Sequence, residues 1–213
     1  MKSNDTLSLL DIIKRDLAEA RGLLFESAFT GHKLLAEQAC ELRDLPLATL
    51  LLVSASLGEY RSKELKPVAV GLEMLCLAVE KHYRTTANDS FARNLFLVTA
   101  DYFYAQAISL AARLKKGFVI EHMVKAIADI AEVESSHDES TVNDDKRASL
   151  FKTAANLGIK LGGCPSGLAD ALAGFASLLG RVPQNRERAA GVLKLLPVAQ
   201  GHLLENLLTV QFC

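Results

Sequence analysis

Apolar residues recur along this chain at intervals of three and four, in stretches separated by short polar breaks. The first stretch follows Ser8: Leu9, Leu10, Ile12, Ile13, Leu17, Ala20, Leu23 and Leu24 form one stripe against Lys14, Arg15, Glu19 and Arg21. Ser8 and Asp11 stand at capping-box spacing, so the helix is predicted to begin at Asp5 or Ser8. A second helix is expected over Lys33–Leu42. Pro46 suits the first turn of a third helix, where its missing N–H is not needed. That segment, to Leu57, is apolar nearly all round and belongs in the core, with Gly58 closing it. Pro67 is expected to open a fourth helix whose inner positions include Val68, Val70, Leu72, Leu75, Ala78 and Val79.

The fifth predicted helix, Phe91–Leu114, contains the long apolar run Asn94–Ala112, broken by a single acid, Asp101. Lys115, Lys116 and a C-cap glycine, Gly117, are expected to end it. A sixth helix covers about Ile120–Val133, with Met123, Ile127, Ile130 and Ala131 inward, and an acidic loop, Glu134–Asp145, follows. The seventh, Lys146–Leu161, stops at Gly162–Gly163, and an eighth starts at Pro165 and Gly167 and runs to Leu179. After the break at Gly180–Pro183, one or two short helices around Pro197 finish the chain. No stretch alternates with the period of a strand. The pattern predicts one all-α domain: short N-terminal helices over 1–42, a bundle over 43–180 and a helical tail over 184–213.

Composition sharpens this picture. At 213 residues the chain can bury one sizeable core, and its 50% apolar content implies helices buried on several sides or a large partner interface. A net charge of −1 gives no basic field for nucleic acid. Cys40, Cys76, Cys164 and Cys213 have neither CxxC spacing nor a neighbouring His cluster, which fits reduced thiols in a cytoplasmic protein. Acids interrupt the only candidate leader, MKSNDTLSLLDIIKRD. Leu45–Leu57 and Leu95–Leu114 are too short, or too broken by Asp101 and Arg113, to make comfortable membrane spans.

Local features offer little chemistry. The run Glu132–Glu139 holds potential metal ligands but neither a paired-His nor an EF-hand spacing, and reads as a solvated loop. Gly162–Gly167 lacks the Gly-Lys-Ser/Thr ending that cradles phosphate. Tyr102, Phe103 and Tyr104 read as packing residues, with a hydrogen-bond partner required for any buried hydroxyl. Asp101 is the most informative polar residue, because a carboxylate in an apolar helix must be paired or reach a wet cleft.

Four segments, in order, resemble the trans-polyprenyl diphosphate synthase family. Ala100–Ala107, ADYFYAQA, is similar to that family's Gly-Asp-Tyr-Leu-x-Ala-x-Ala segment. Glu73–His82, EMLCLAVEKH, resembles the helix that leads into its first Asp-rich motif. Lys146–Phe151, continuing to Gly158 and Gly162–Gly163, resembles the Lys-Thr-Ala-x-Leu-Phe helix, and Ala189–Pro197 resembles the closing segment. The resemblance implies an isoprenoid-synthase-like helical bundle, here truncated, and a dimeric assembly.

The departures bear on activity. Enzymes of that family hold Mg²⁺ on aspartates to ionise an allylic diphosphate. Where the first Asp-rich motif should begin, this chain has Tyr83 and Arg84, and where the second should follow Leu179–Gly180 it has Arg181–Gln184. Of the basic isopentenyl diphosphate site only Arg43 and Pro46 remain, and Lys146 is kept while its threonine neighbour has become Arg147. The resemblance therefore implies a small, non-catalytic or regulatory subunit of a heterodimeric long-chain synthase, in isoprenoid or quinone side-chain synthesis. No catalytic residue and no metal ligand of its own are expected, Mg²⁺ being held only by a catalytic partner. Arg43 and Lys146 stand as remnant substrate-binding residues. Ala78, Val79, Asp101 and Tyr102 stand as interface or chain-length positions. The partner is a catalytic synthase subunit, with a homodimer open for the isolated chain. The alternatives are a helical binding or scaffold protein that kept the fold, and a divergent active prenyltransferase.

Overall fold

The computed structural model describes residues 8–29, 44–83, 90–135, 142–181 and 184–209. Among them are nine α-helices and no strand: α1 (Leu9–Phe29), α2 (Pro46–Ala55), α3 (Ser62–Tyr83), α4 (Ser90–Ala112), α5 (Gly117–Ser135), α6 (Val142–Gly162), α7 (Ser166–Leu179), α8 (Arg186–Leu193) and α9 (Val198–Glu205), followed by a 3₁₀ turn, Asn206–Leu208. The predicted helix over Lys33–Leu42 lies outside the described residues, as do Arg43 and Arg84.

The core is built around α2. Nine of its ten residues are buried, as a segment apolar nearly all round predicts. It packs against α6 through a glycine seam. A Cβ on Gly158 would collide with the Leu51 carbonyl, and one on Gly162 with the Ala55 carbonyl. Gly58 meets Gly162 in the same way, and the Glu59 N–H donates to the Gly162 carbonyl at 2.6 Å. Only hydrogen at these Cα positions lets two helix backbones approach so closely. Gly163, at φ 64, turns the chain out of α6, and the Cys164 N–H donates to the Ile159 carbonyl at 3.1 Å, closing the helix end.

Helix α3 lies between α1, α2 and α4. It starts at Ser62, so Pro67 sits inside it rather than at its head. Arg61 supplies the first carbonyl, accepting from the Glu64 and Leu65 N–H groups at 2.9 and 3.1 Å. The bond that Pro67 cannot make belongs to Lys63, which is exposed at the surface. All six inner positions predicted for this helix are buried.

Two buried carboxyls fix the neighbours of α3. Glu73, 1% exposed, reaches the N-terminus of α2 and accepts from the Ala48 N–H at 2.7 Å. Asp16 of α1 is fully buried and accepts from the Tyr60 hydroxyl at 2.9 Å. Burial first, and then the Asp16 hydrogen bond and charge, push the Tyr60 hydroxyl well above its ordinary pKa. The α1 start is capped as predicted: the Ser8 hydroxyl donates to Asp11 at 2.6 Å and accepts from the Asp11 N–H at 3.2 Å. Leu9 and Leu23, assigned to the apolar stripe, are exposed instead.

Other boundaries move. The left-handed residue after α4 is Lys115, at φ 55, and Gly117 opens α5 instead of capping α4. Helix α5 runs on through Glu134 to Ser135, and α6 starts at Val142, so both ends of the predicted acidic loop are helical, while residues 136–141 lie outside the described ones. Met123 and Ile130 are buried as predicted, whereas Ala131 is exposed. Cys76 is buried and Cys164 partly buried; Cys40 and Cys213 lie outside the described residues.

Candidate functional site

The C-terminal ends of α3 and α5, the start of α6 and the turn after α7 meet at one end of the bundle. Their side chains form a chain of opposite charges. Lys146, in the second turn of α6 and almost fully buried, donates to Glu134 Oε1 at 2.5 Å. The other oxygen of Glu134 lies 3.8 Å from His82 Nδ1, on the last turn of α3. One residue before Lys146, Asp145 accepts from the Arg181 guanidinium at 2.7 Å. Arg181 is half exposed, so solvent screens the contact, but it links the turn after α7 to the start of α6.

Local sequence explains how these groups reach one another. Glu134 sits in the last turn of α5, where the negative end of the helix dipole disfavours a carboxylate. The Lys146 ammonium across the α5–α6 junction supplies the compensating charge. Gly180 lets α7 end close to α6, because a Cβ there would meet Ala148 Cβ and the Asp144 carbonyl, both at 2.5 Å. Beside this mouth, Lys81 is fully buried with its ammonium 6.0 Å from the Phe96 ring centroid. Tyr104 is half-buried, and its hydroxyl is pushed up to about 12, chiefly by burial and then by the Glu134 and Asp101 charges.

The sequence-predicted positions divide into separate places. Lys146 is at the mouth, next to the helix that ends in Tyr83. Ala78 and Val79 are buried in the core on α3. Tyr102 faces α1, its hydroxyl donating to the Ser27 carbonyl at 2.8 Å, which satisfies the requirement for a partner. Asp101 is not a buried acid at all. It is exposed on the outer face of α4, near Leu97 and Val98, which are 41% and 60% exposed. Phe91 of α4 and Val124 of α5 are also largely exposed. Helix α4 is long and apolar enough by composition to cross a membrane, and 33% of its apolar window is buried in the bundle.

The site residues that sequence reasoning missed are Glu134, placed in a solvated loop, and the pairing of Arg181 with Asp145. Their signal is weak in sequence because both pairs join residues across a helix boundary. Among the described residues, no three His, Cys, Asp or Glu side chains converge as a metal site.

Fold and mouth together define a class: a single helical bundle with its polar groups gathered where helix ends converge. Comparison with solved structures identifies the fold as that of the trans-prenyl diphosphate synthases. A geranylgeranyl pyrophosphate synthase from Lactobacillus brevis superposes with a TM-score of 0.77 at 11% identity, over 92% of this chain and 95% of that one. A decaprenyl diphosphate synthase from Rhodobacter capsulatus gives 0.68 at 21% identity, over 87% of this chain and 65% of that one. The geranyl diphosphate synthase small subunit from Antirrhinum majus gives 0.68 at 15% identity, over 96% of this chain and 100% of that one. No protein-family profile and no curated protein sequence matches the chain.

Proposed function

We propose that this chain is a degenerate member of the trans-polyprenyl diphosphate synthase family, acting as a non-catalytic or regulatory subunit. It pairs in the cytoplasm with a catalytic synthase subunit and influences that partner's product length in isoprenoid or quinone side-chain synthesis. The observation that carries this reading is the character of the mouth. Helix α3 ends in Lys81, His82 and Tyr83, and the buried cation facing it, Lys146, is already matched by Glu134.

A magnesium–diphosphate centre needs several oxygen ligands and cations left available for phosphate. The described residues do not fit it. Glu134 and Asp145 are engaged by Lys146 and Arg181. In this reading any magnesium is held by the partner. The likeness to a geranyl diphosphate synthase small subunit over its whole length supports a subunit role. So does the outer face of α4, where exposed Phe91, Leu97 and Val98 offer the apolar surface expected of a lasting interface.

Two assays test the proposal. Incubated alone with Mg²⁺, an allylic primer and isopentenyl diphosphate, the purified protein produces no prenyl product. Co-expressed with an aspartate-bearing synthase subunit, it co-purifies as a mixed dimer with prenyl-transfer activity. Turnover by the lone chain refutes the non-catalytic reading, and failure to associate refutes the subunit role.

A further inference from the structure

We infer that α4 pairs with α4 of a second copy of this chain, antiparallel about a two-fold axis between Leu97 and Val98, with Asp101 of each copy held by Arg93 and Asn94 of the other. The pairing rests on reading the outer face of α4 as an interface, and concerns what covers that face while no catalytic partner is bound.

Helix α4 packs chiefly on α3, with α5 beside it, and leaves its remaining side to solvent. Arg93, Asn94, Leu97, Val98 and Asp101 are all exposed there. Arg93 and Asp101 are the only charged residues of the helix, and neither forms an ion pair with another described residue. From Asn94 to Asp101 is just under two helical turns, so the two stand on one line along the helix, about 10 Å apart, with Leu97 and Val98 between them. A carboxylate amid an apolar face is costly to cover unless the covering surface brings donors and positive charge. The same face carries both. Turned about an axis midway between Asn94 and Asp101, a second copy lays its Asn94 amide against Asp101 and its Arg93 guanidinium beside it, and the symmetry repeats the contact. Leu97 and Val98 then meet their counterparts at the axis, and Ala105 falls opposite Ser90, small against small. A parallel pairing would set Asp101 against Asp101 and Arg93 against Arg93, so like charges exclude it. A catalytic partner that binds α4 competes with this homodimer for one surface.

Sedimentation equilibrium of the isolated full chain over a wide concentration range tests the pairing. The unaltered chain is a dimer that dissociates on dilution. Asp101→Lys and Arg93→Glu each make both symmetric contacts repulsive, and each weakens self-association about ten- to hundredfold. Mixed in equal amounts, the two variants regain both opposite-charge contacts and dimerise with each other as the unaltered chain does with itself. Both positions are exposed, so each variant keeps the helical circular dichroism of the unaltered chain. An unaltered chain that stays monomeric throughout overturns the inference, as do single variants that dimerise normally or a mixture that stays monomeric. None of these measurements involves the catalytic partner, so failure here leaves the co-purification test intact. Failed co-purification beside an intact homodimer refutes the subunit role alone.

Discussion

Glu73 gives the protein a pH-dependent stability that can be worked out from its surroundings. Its carboxyl is fully enclosed between α3 and the start of α2. Two effects oppose each other there. The Ala48 and Leu47 N–H groups, at the positive end of the α2 dipole, favour the carboxylate, whereas removal from water disfavours it. Burial wins, helped slightly by the Glu80 charge, and the pKa is pushed from 4.5 up to about 8. The second oxygen, Oε2, has no hydrogen-bond partner, which leaves nothing to offset ionisation on that side. The folded state therefore holds its proton more tightly than the unfolded chain does. Stability from this group is complete below the unfolded pKa and is lost as pH rises through the folded one. At about 1.4 kcal/mol per pH unit, the loss between 4.5 and about 8 amounts to ~5 kcal/mol. Replacing Glu73 by Gln keeps an acceptor for the α2 amides and cannot ionise. Urea unfolding followed by circular dichroism, at a series of pH values across that window, separates the two proteins. The unaltered chain loses stability steadily as pH rises, while Glu73→Gln stays level and becomes the more stable of the two at the alkaline end. Parallel profiles, or a rise in the unaltered chain over the same range, would show that burial does not control this carboxyl.

Four further substitutions probe other contacts. Gly158→Ala drives a methyl into the Leu51 carbonyl and is expected to lower stability by about 1–3 kcal/mol in thermal unfolding. Gly22→Ala on α1 meets no atom within 4 Å and should instead gain about 0.5–1 kcal/mol. Tyr60→Phe removes the hydroxyl that serves buried Asp16 and should cost about 1–3 kcal/mol, a loss that shrinks when Asp16→Asn is also present. Val98→Glu on the exposed face of α4 should change the stability of the isolated chain by less than about 0.5 kcal/mol yet prevent co-purification with a catalytic partner.

The elements that sequence predicts well are those governed by local or uniformly apolar patterns. Helix α2 is buried on nearly all sides because all its positions but Thr49 and Ser54 are apolar, and the Ser8–Asp11 cap and the Gly162–Gly163 stop depend on neighbours within one turn. Where the decisive contact is distant, the pattern is silent. Helix α4 is apolar on nearly every side, so periodicity does not say which side faces out, and Asp101 marks the exposed face only once α3 and α5 are packed on the others. Glu134 reads as a loop acid until Lys146, twelve residues on, is folded back against it. Pro67 resembles a helix start, but the carbonyl it deprives lies at the surface, which lets the helix begin a turn earlier.

The residues that hold the bundle together are largely separate from those at its mouth. The glycine seam between α2 and α6, the Glu73 contact with α2 and the Asp16–Tyr60 bond all lie away from the Glu134–Lys146 pair. A synthase-like fold can therefore survive extensive change at the mouth, provided that charge there stays balanced. The balance matters because Lys81 and Lys146 are buried at one end of the bundle, and buried cations without counter-charges destabilise a fold. In an enzyme that binds diphosphate, the ligand can share in that neutralisation. Here Glu134 and Asp145 supply it from within α5 and α6. The same two carboxylates thus neutralise Lys146 and Arg181 from within the chain, so the charge at this end of the bundle is balanced without a ligand.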